Sequence, residues 1–300
     1  MIIHKANVPL ADNALFFKRE DLLPFSFGGN KARKAILFFE EIVKLKSRTV
    51  VTYGTSSSNH CRVVANMSAA HGLDCVIINP DGNAGSSYNA DMVRHFGAKI
   101  ITCPITDVAE KIKQVREMSD QPYFIQGGGH GDLGTKAYVD CYKEIVEYEN
   151  SHGVKFDYIF HASGTGTTQA GLVCGNLQNA NSHKIVGISI ARSAQKGKPV
   201  VIQSVLDYCN QAFDYQMVDG AVIFDDNYIS GGYGKYNSSI TNAIKRVLVH
   251  EGIALDPFYT GKAFWGMEEY IKRSSIKNKN ILFIHTGGQP IFFDVLEGLF

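Results

Sequence analysis

The sequence predicts an α/β protein built mostly from parallel sheets that carry helices on both faces. Short runs that are apolar throughout alternate with longer segments of helical periodicity. Strands that are apolar at every position are typical of sheets buried on both faces, and their alternation with helices favours parallel connections. Glycine and hydroxyl residues concentrate where the predicted strands end. In a chain of 300 residues, two such units packed together fit the pattern better than one sheet.

The first predicted helix begins at Asn30, a residue type that suits a helix N-terminus. The two preceding residues are glycines, and because glycine has no Cβ this turn can approach a ligand closely. Lys31 lies in the first helical turn, beside Arg33 and Lys34. The positive helix end and these neighbours disfavour a charged ammonium at Lys31, which indicates an amine able to react with an aldehyde. A solvated basic turn is the alternative interpretation.

Four strands and three helices then alternate, which predicts a first parallel unit. The strands are predicted over 49–53, 75–78, 99–102 and 123–125. The helices are predicted over 59–70, 88–96 and 107–118. A longer helix over 135–150 leaves this unit.

A second alternating run follows this helix and predicts a second unit. Its strands are predicted over 158–160, 185–188 and 281–284. Its helices are predicted over 167–177, 238–250, 262–273 and 290–299. The region 192–219 has weak patterning and is predicted to be a helix with loops.

Composition argues against several classes of partner. Thirty basic residues against 29 acidic ones leave a net charge of +1, which gives no basis for nucleic-acid or anionic-membrane binding. No apolar run approaches the roughly 20 residues of a membrane span, and residues 1–5 lack a signal-peptide core. Six cysteines without a C-x-x-C pair predict reduced structural thiols, and the ten scattered histidines suggest no metal site. We expect a cytoplasmic protein with a small-molecule substrate.

Two loops at strand ends have the composition of anion-binding sites. Ser58, Asn59 and His60 begin a helix with short polar side chains and free N–H groups, which suit a carboxylate. Helix capping alone is the alternative. Loop 163–169 joins two glycines to threonine hydroxyls and suits a single phosphate. Gln169 occupies the third position of a dinucleotide fingerprint, so a dinucleotide fits less well, and a tight turn is the structural alternative.

Three further loops supply polar groups around these two. Thr286 follows a buried strand and can bring a hydroxyl beside a flat ring. Tyr233 and Tyr259 lie on glycine-flanked loops, from which a phenol can serve as an acid, a base or a hydrogen-bond donor. Each tyrosine alone is also compatible with plain packing. A reactive lysine, a phosphate loop, a carboxylate loop and polar groups around a ring are together the parts of a pyridoxal phosphate site.

In order and spacing, these motifs resemble those of pyridoxal-phosphate enzymes of fold type II, specifically the D-cysteine desulfhydrase and 1-aminocyclopropane-1-carboxylate (ACC) deaminase family. The matching segments are 18–22, 28–34, 58–60, 164–171, 232–234, 256–262 and 285–288. The resemblance implies a two-domain, tryptophan-synthase-β-like fold. Residues 1–43 and 141–300 would form the large cofactor domain, and residues 44–140 would form the small substrate-side domain.

The resemblance also assigns the cofactor contacts. Lys31 would form an imine with the aldehyde of pyridoxal 5'-phosphate. Asn59 would bind its phenolic oxygen, and Thr286 would face its ring nitrogen. The phosphate would be held by a lysine and a loop, namely Lys34, Gly164, Thr165, Gly166, Thr167 and Thr168.

On the substrate side, Ser58 with the backbone of Asn59 and His60 would bind the carboxylate of a small amino acid. Tyr233 and Tyr259 would flank that substrate and, with the freed lysine and Ser58, would serve catalysis. A hydroxyl at the ring nitrogen stabilises a carbanion less than a carboxylate does. This favours prompt loss of a β leaving group and hydrolysis to a keto acid and ammonia.

Departures from the family pattern leave the substrate open. Thr260 and Thr286 replace the acidic and aliphatic residues of the deaminase members, which favours the desulfhydrase side. His130 lies in an altered glycine loop and is interpreted as either a substrate contact or a structural histidine. The N-terminal segment that covers the site in many relatives is expected to be shortened. A homodimer is expected.

Four other functions stay open. They are a pyridoxal-phosphate-dependent β-replacement synthase, an ACC deaminase, a non-catalytic pyridoxal-phosphate-binding protein, and an NADP-dependent oxidoreductase that uses the turn at 164–166 with Arg192.

Overall fold

The computed structural model describes residues 2–55, 57–80 and 87–299. Within these residues, ten strands form one six-stranded sheet and one four-stranded sheet. Apolar clusters lie on both faces of each sheet, where the helices pack. All strand pairs are parallel except the first. The predicted α/β class with mostly parallel, doubly covered sheets is therefore confirmed.

The four-stranded sheet has the order β5-β4-β3-β6. Its strands are β3 (Thr49–Tyr53), β4 (Asp74–Asn79), β5 (Lys99–Thr102) and β6 (Pro122–Ile125). Its helices are α2 (Asn59–Ala70), α3 (Tyr88–His95) and α4 (Val108–Met118). Each predicted element is present here, and no end differs by more than one residue.

The six-stranded sheet has the order β1-β2-β10-β7-β8-β9. Its strands are β1 (Ile3–Lys5), β2 (Ala14–Arg19), β7 (Tyr158–Ser163), β8 (Lys184–Ser189), β9 (Ile223–Asp225) and β10 (Asn280–His285). Strands β1, β2 and β9 are absent from the sequence prediction. Strand β2 is buried because it pairs in parallel with β10, from the far end of the chain.

Nine further helices complete the described chain, and most cover the large sheet. They are α1 (Asn30–Lys44), α5 (Asp132–His152), α6 (Thr167–Gln178), α7 (Ala194–Tyr208), α8 (Tyr215–Ala221), α9 (Ser238–Glu251), α10 (Thr260–Arg273), α11 (Gln289–Asp294) and α12 (Leu296–Leu299). The weakly patterned region 192–219 contains α7 and the start of α8. The predicted last helix is divided in two, with Val295 at the division.

Residues of β10 show how the large sheet is buried on both faces. Ile281 and Phe283 belong to the apolar cluster on one face, and Leu282 and Ile284 to the cluster on the other. Because side chains alternate along a strand, a strand that is apolar at every position fills both layers. This explains why the continuous apolar runs are a reliable sign of strands in this chain.

Helix α5 passes from the small sheet to the large one. The predicted domain boundary between residues 140 and 141 lies inside this helix, and the division into two domains stays a prediction. None of the helices in the described ranges has the length and apolar character that a membrane crossing requires. All six cysteines are free thiols, and five of them are buried.

A buried ionic network fixes α1 against the rest of the molecule. The Nζ of Lys18 lies 2.7 Å from Glu20 and 2.7 Å from Glu144. Arg33, in the first turn of α1, donates to the same two carboxylates. Strand β2, α1 and α5 therefore meet at one charged cluster directly behind the start of α1.

Candidate active site

A cavity of about 420 Å³ lies at the carboxyl ends of strands from both sheets. Open parallel sheets place ligand sites at this edge. The loops after β3, β6, β7, β8 and β10 line it, together with the start of α1. Of the residues predicted for the site, those that line it are Lys31, Ser58, Asn59, His60, Gly164, Thr165, Gly166, Thr168, Tyr233, Tyr259 and Thr286.

The glycine turn before α1 serves mainly to bring two protein segments together. Gly29 has φ +92°, and a Cβ there would lie 2.7 Å from the carbonyl oxygen of Thr286. The N–H of Asn30 donates to that same oxygen at 3.0 Å. The turn therefore locks the start of α1 onto the loop after β10, and both segments line the cavity as one unit.

Lys31 points its amine at the loop after β6. Its Nζ donates to the carbonyl oxygen of Gly128 at 2.9 Å. Burial lowers its pKa to about 8, in the predicted direction. The physical cause is desolvation and not the neighbouring Arg33, whose charge is paired with Glu20 and Glu144. An amine with this pKa is partly neutral near pH 8 and is available as a nucleophile.

Lys34 lies behind the cavity wall. Its side chain is buried, and its Nζ has no hydrogen-bond partner among the residues that the structure describes. Burial, with the nearby charge of Lys31, lowers its pKa well below the usual value. A buried amine without a partner is costly, and an anion bound beside it would remove that cost. Lys34 thus fits the predicted phosphate contact, although it does not line the cavity itself.

The loop after β7 leads into the N-terminus of α6. Gly166 has φ +96°, which glycine adopts readily. The first N–H groups of a helix have no intrahelical acceptor and attract an anion. The side chain of Thr167, predicted to contact the phosphate, does not line the cavity. It is fully buried, and its hydroxyl lies 2.8 Å from Nδ1 of His130.

His130 has two interpretations, a substrate contact and a structural histidine, and the structure favours the second. Its ring contacts the start of α6 through Thr167 and does not line the cavity. Burial, with the charges of Lys34 and Arg192, lowers the pKa of its imidazole.

On the opposite wall, Ser58 both caps α2 and lines the cavity. Its Oγ accepts from the N–H groups of His60 at 3.1 Å and Cys61 at 3.4 Å. The capping interpretation is thus confirmed. Ser58 also lines the cavity, and its contact with a carboxylate stays a prediction. The N–H of His60, predicted as a carboxylate contact, is already donated to Ser58.

Asn59 is oriented by residues behind it. Its Oδ1 accepts from Nη1 of Arg62 at 2.6 Å and from Nδ2 of Asn89 at 3.0 Å. Because the carbonyl end of the amide is engaged there, the NH₂ end is the donor left for a ligand. This is the polarity that an anionic phenolic oxygen requires.

The side chain of His60 has a defined tautomer, which the sequence does not indicate. The hydroxyl of Thr52 donates its single proton to the carbonyl oxygen of Ile125 at 2.7 Å. Thr52 must then accept from Nε2 of His60, 2.8 Å away, so Nε2 carries the hydrogen and Nδ1 is an acceptor. Burial, together with the charges of Lys31 and Lys34, lowers the pKa of His60 well below 6.5.

This lowered pKa predicts that His60 destabilises the fold in mild acid. Below pH 6.5 the unfolded chain takes up a proton at this position and the folded chain does not, so stability falls as pH falls. At pH 5.5 we expect His60 to lower the free energy of unfolding by about 1.4 kcal/mol relative to pH 7.5. Urea unfolding at pH 7.5 and 5.5 measures it. His60→Gln keeps an N–H donor for Thr52 and should lose less stability between the two pH values; equal losses would contradict the assignment.

Tyr233 and Tyr259 meet across the cavity mouth. Their hydroxyl oxygens lie 2.7 Å apart, and their rings pack edge to face. Burial raises the pKa of both phenols. When two neutral phenols share one hydrogen bond, one O–H donates to the other oxygen and the second O–H is not used within the pair. The pair therefore suits a donor better than a base.

Thr260, one residue further, does not line the cavity. Its hydroxyl donates to Oδ2 of Asp256 at 2.8 Å, and it accepts from the N–H of Asp256 at 2.8 Å. These contacts join the first residue of α10 to Asp256 in the turn before the helix. The residue at this departure from the deaminase pattern therefore contacts Asp256 in this chain and is not exposed in the cavity.

Several lining residues were missed by sequence reasoning. Gly128 is the clearest: a Cβ there would lie 2.6 Å from the side chain of Thr165 and 3.3 Å from Nζ of Lys31. Its glycine-rich surroundings were the available indication. Further lining residues outside the prediction include Tyr53, Gly127 and Ala191.

Comparison with known proteins agrees with this geometry. The family described as pyridoxal-phosphate dependent enzyme matches residues 4–287. The chain belongs to this family. It is 34% identical to the D-cysteine desulfhydrase of Yersinia pestis (strain Pestoides F), over 93% of this chain and 88% of that protein. It is 32% identical to the D-cysteine desulfhydrase of Klebsiella pneumoniae (strain 342), with the same coverage.

Solved structures support the same grouping. A crystal structure of an ACC deaminase homologue superposes with a TM-score of 0.85 at 27% identity, covering 99% of this chain and 92% of that one. A hydrogen sulfide-producing enzyme from Fusobacterium nucleatum has a TM-score of 0.71 at 18% identity and shares the fold. The chain is thus a fold type II, pyridoxal-phosphate-dependent enzyme of the lyase and deaminase kind.

Proposed function

We propose that this enzyme removes a β substituent and the amino group from a small amino acid, as a D-cysteine desulfhydrase does. With cysteine and one water, the products are pyruvate, ammonia and hydrogen sulfide, which balances all atoms. The observation that carries this proposal is the amine of Lys31, with its pKa lowered to about 8, at the floor of a cavity that also exposes Ser58 and the tyrosine pair.

The residues present fit the cofactor, and we propose how they hold it. Lys31 would bond to its aldehyde, and Asn59 and Thr286 would face its ring. The phosphate would lie at the N-terminus of α6, against Gly164, Thr165, Gly166, Thr167 and Thr168, with the unpartnered Nζ of Lys34 behind it. When bound, pyridoxal phosphate withdraws electrons from Cα of the substrate.

The remaining roles belong to groups on the substrate side. The amine of Lys31 would serve as the base that takes the Cα proton. The hydroxyl of Ser58 donates to the substrate carboxylate. The O–H that is not used within the tyrosine pair would bind the substrate near its β substituent. The hydroxyl of Thr286 carries no negative charge that would hold a proton on the cofactor ring.

The proposal is tested by spectral titration of the purified enzyme with pyridoxal phosphate. D- and L-cysteine, D- and L-serine and ACC are added in turn, while sulfide, ammonia and keto acid are measured. We expect one cysteine isomer to change the visible absorbance and release sulfide with equimolar ammonia. Ammonia from ACC alone would indicate ring opening, and sulfide without ammonia in the presence of an added nucleophile would indicate β-replacement.

Two other outcomes would reject catalysis of this type. A coloured protein that responds to no amino acid would be a cofactor-binding protein. A colourless protein that binds NADP would support the oxidoreductase alternative. The first result is read from the same absorbance record, and the second from a separate binding titration with NADP.

We also infer a homodimer that works in the cytoplasm. Its thiols, free and mostly buried, suit a reducing compartment. Cyclic dimers are the commonest assemblies of soluble enzymes. The division into a large domain, 1–43 with 141–300, and a small domain, 44–140, belongs to the same proposal.

A further inference from the structure

Lys262 lies outside the cavity but contacts two of the segments that form its wall. It is the third residue of α10 and is completely buried. Its Nζ donates to the carbonyl oxygens of Ile190 at 2.9 Å, Ile229 at 2.8 Å and Gly232 at 2.8 Å. An ammonium has three N–H donors, and each has an acceptor here.

Two of these acceptors belong to the segment between β9 and α9, called here the Tyr233 loop (residues 226–237). The loop has little regular structure: Ser230 has φ +46°, and three glycines in it also have positive φ. Its internal backbone hydrogen bonds run from the N–H of Gly232 to Ile229 and from the N–H of Lys235 to Gly232. A loop of this kind depends on outside contacts for its position.

Helix α10 supplies those contacts from its first turn. The hydroxyl of Tyr259, directly before the helix, meets the hydroxyl of Tyr233. Lys262, three residues on, binds the backbone immediately before Tyr233. The third acceptor, Ile190, precedes Ala191 and Arg192, which line the cavity. One ammonium thus joins the Tyr233 loop to the end of β8.

Keeping this charge buried is costly. Among the described residues, the ammonium of Lys262 is bonded to carbonyl oxygens and to no carboxylate. Burial lowers its pKa to about 8, although the charge of Asp256 acts in the opposite direction. An apolar side chain of the same length would avoid this cost, but it would lack the hydrogen bonds that fix the Tyr233 loop.

We infer that Lys262 is a positioning residue that holds the Tyr233 loop against Tyr259, so that the paired phenols present one O–H to the substrate. This inference rests on the proposed function for the substrate contact of Tyr233. Its structural part, the hold on the loop, stands independently.

The structural part is tested by hydrogen exchange on the pyridoxal-phosphate-loaded enzyme without an amino acid. Lys262→Met removes the three donors at similar length, and Lys262→Gln keeps two. We expect Lys262→Met to speed amide hydrogen exchange over residues 226–237 by about ten- to a hundredfold. Lys262→Gln should give a rate between those of Lys262→Met and the wild type. Exchange in β3 and α2 of the small sheet should not change. A uniform rise along the chain, or no change in the loop, would overturn the inference.

Kinetics with D- and L-cysteine test the link to Tyr233. Lys262→Met is expected to raise KM about tenfold or more, with a smaller effect on kcat, and to retain the visible absorbance of the bound cofactor. In a Tyr233→Phe background the same change should add little, because both act through one phenol. Fully additive effects would overturn the positioning role. If the wild type turns over no amino acid, the proposed function fails. The hydrogen-exchange result still shows whether Lys262 fixes the Tyr233 loop.

Discussion

Replacing Lys31 with alanine is expected to abolish the visible absorbance of the bound cofactor. It should also reduce turnover by about a hundredfold to ten-thousandfold. Lys31 lines the cavity, and within the described part of the chain its amine contacts a backbone carbonyl and no carboxylate. Alanine removes both the amine that would bond to the aldehyde and the base that would take the Cα proton. Absorbance spectra and sulfide release measure the two losses separately.

Lys34→Met is the matched control for this variant. It removes a second amine from the same helix without touching the cavity wall. We expect it to weaken cofactor binding, because the Nζ of Lys34 has no hydrogen-bond partner among the described residues. Absorbance and activity should recover at high pyridoxal phosphate. If Lys31→Ala recovers in the same way, or if Lys34→Met loses turnover irreversibly, the assignment of the two lysines is wrong.

The fold was predictable wherever burial follows from local pattern. In the small sheet each strand is bounded by glycine or polar turns and each helix has its own apolar face, so prediction and structure agree closely. Strands β1 and β9 have only three residues each, too few to show a period. Strand β2 contains a short apolar run at 15–17 that the prediction missed. Its pairing with β10, more than 260 positions away, leaves no local pattern.

The site was predictable as a set of loops but less so as a set of side-chain contacts. Loop positions follow from strand ends, so the sequence predicted loop 163–169, the loop at Ser58 and both tyrosines, and these line the cavity. The partner of each group depends on tertiary structure: the hydroxyl of Thr167 contacts His130, and the ring of His60 donates to Thr52. The carbonyl contacts of Lys262 also reach residues 30 to 72 positions away.

The second large effect is expected from Arg33→Met, which opens the ionic network behind α1. Arg33 donates to both Glu20 and Glu144. Burial alone would raise the pKa of Glu20, but Lys18 and Arg33 hold it below the usual value. With Arg33 gone, Lys18 alone faces two carboxylates, and removing one member of a buried ionic group typically costs about 3–5 kcal/mol.

Urea unfolding near pH 7.5 measures this loss directly. Arg94→Met is the matched control, since Arg94 pairs with Asp91 at the surface, where about half of each side chain is exposed. An exposed pair contributes about 0–1 kcal/mol. Equal effects of the two variants would show that the buried network does not hold α1. Because Lys31 lies two residues before Arg33, loss of the network is also expected to weaken cofactor binding, even in the fraction of protein that stays folded.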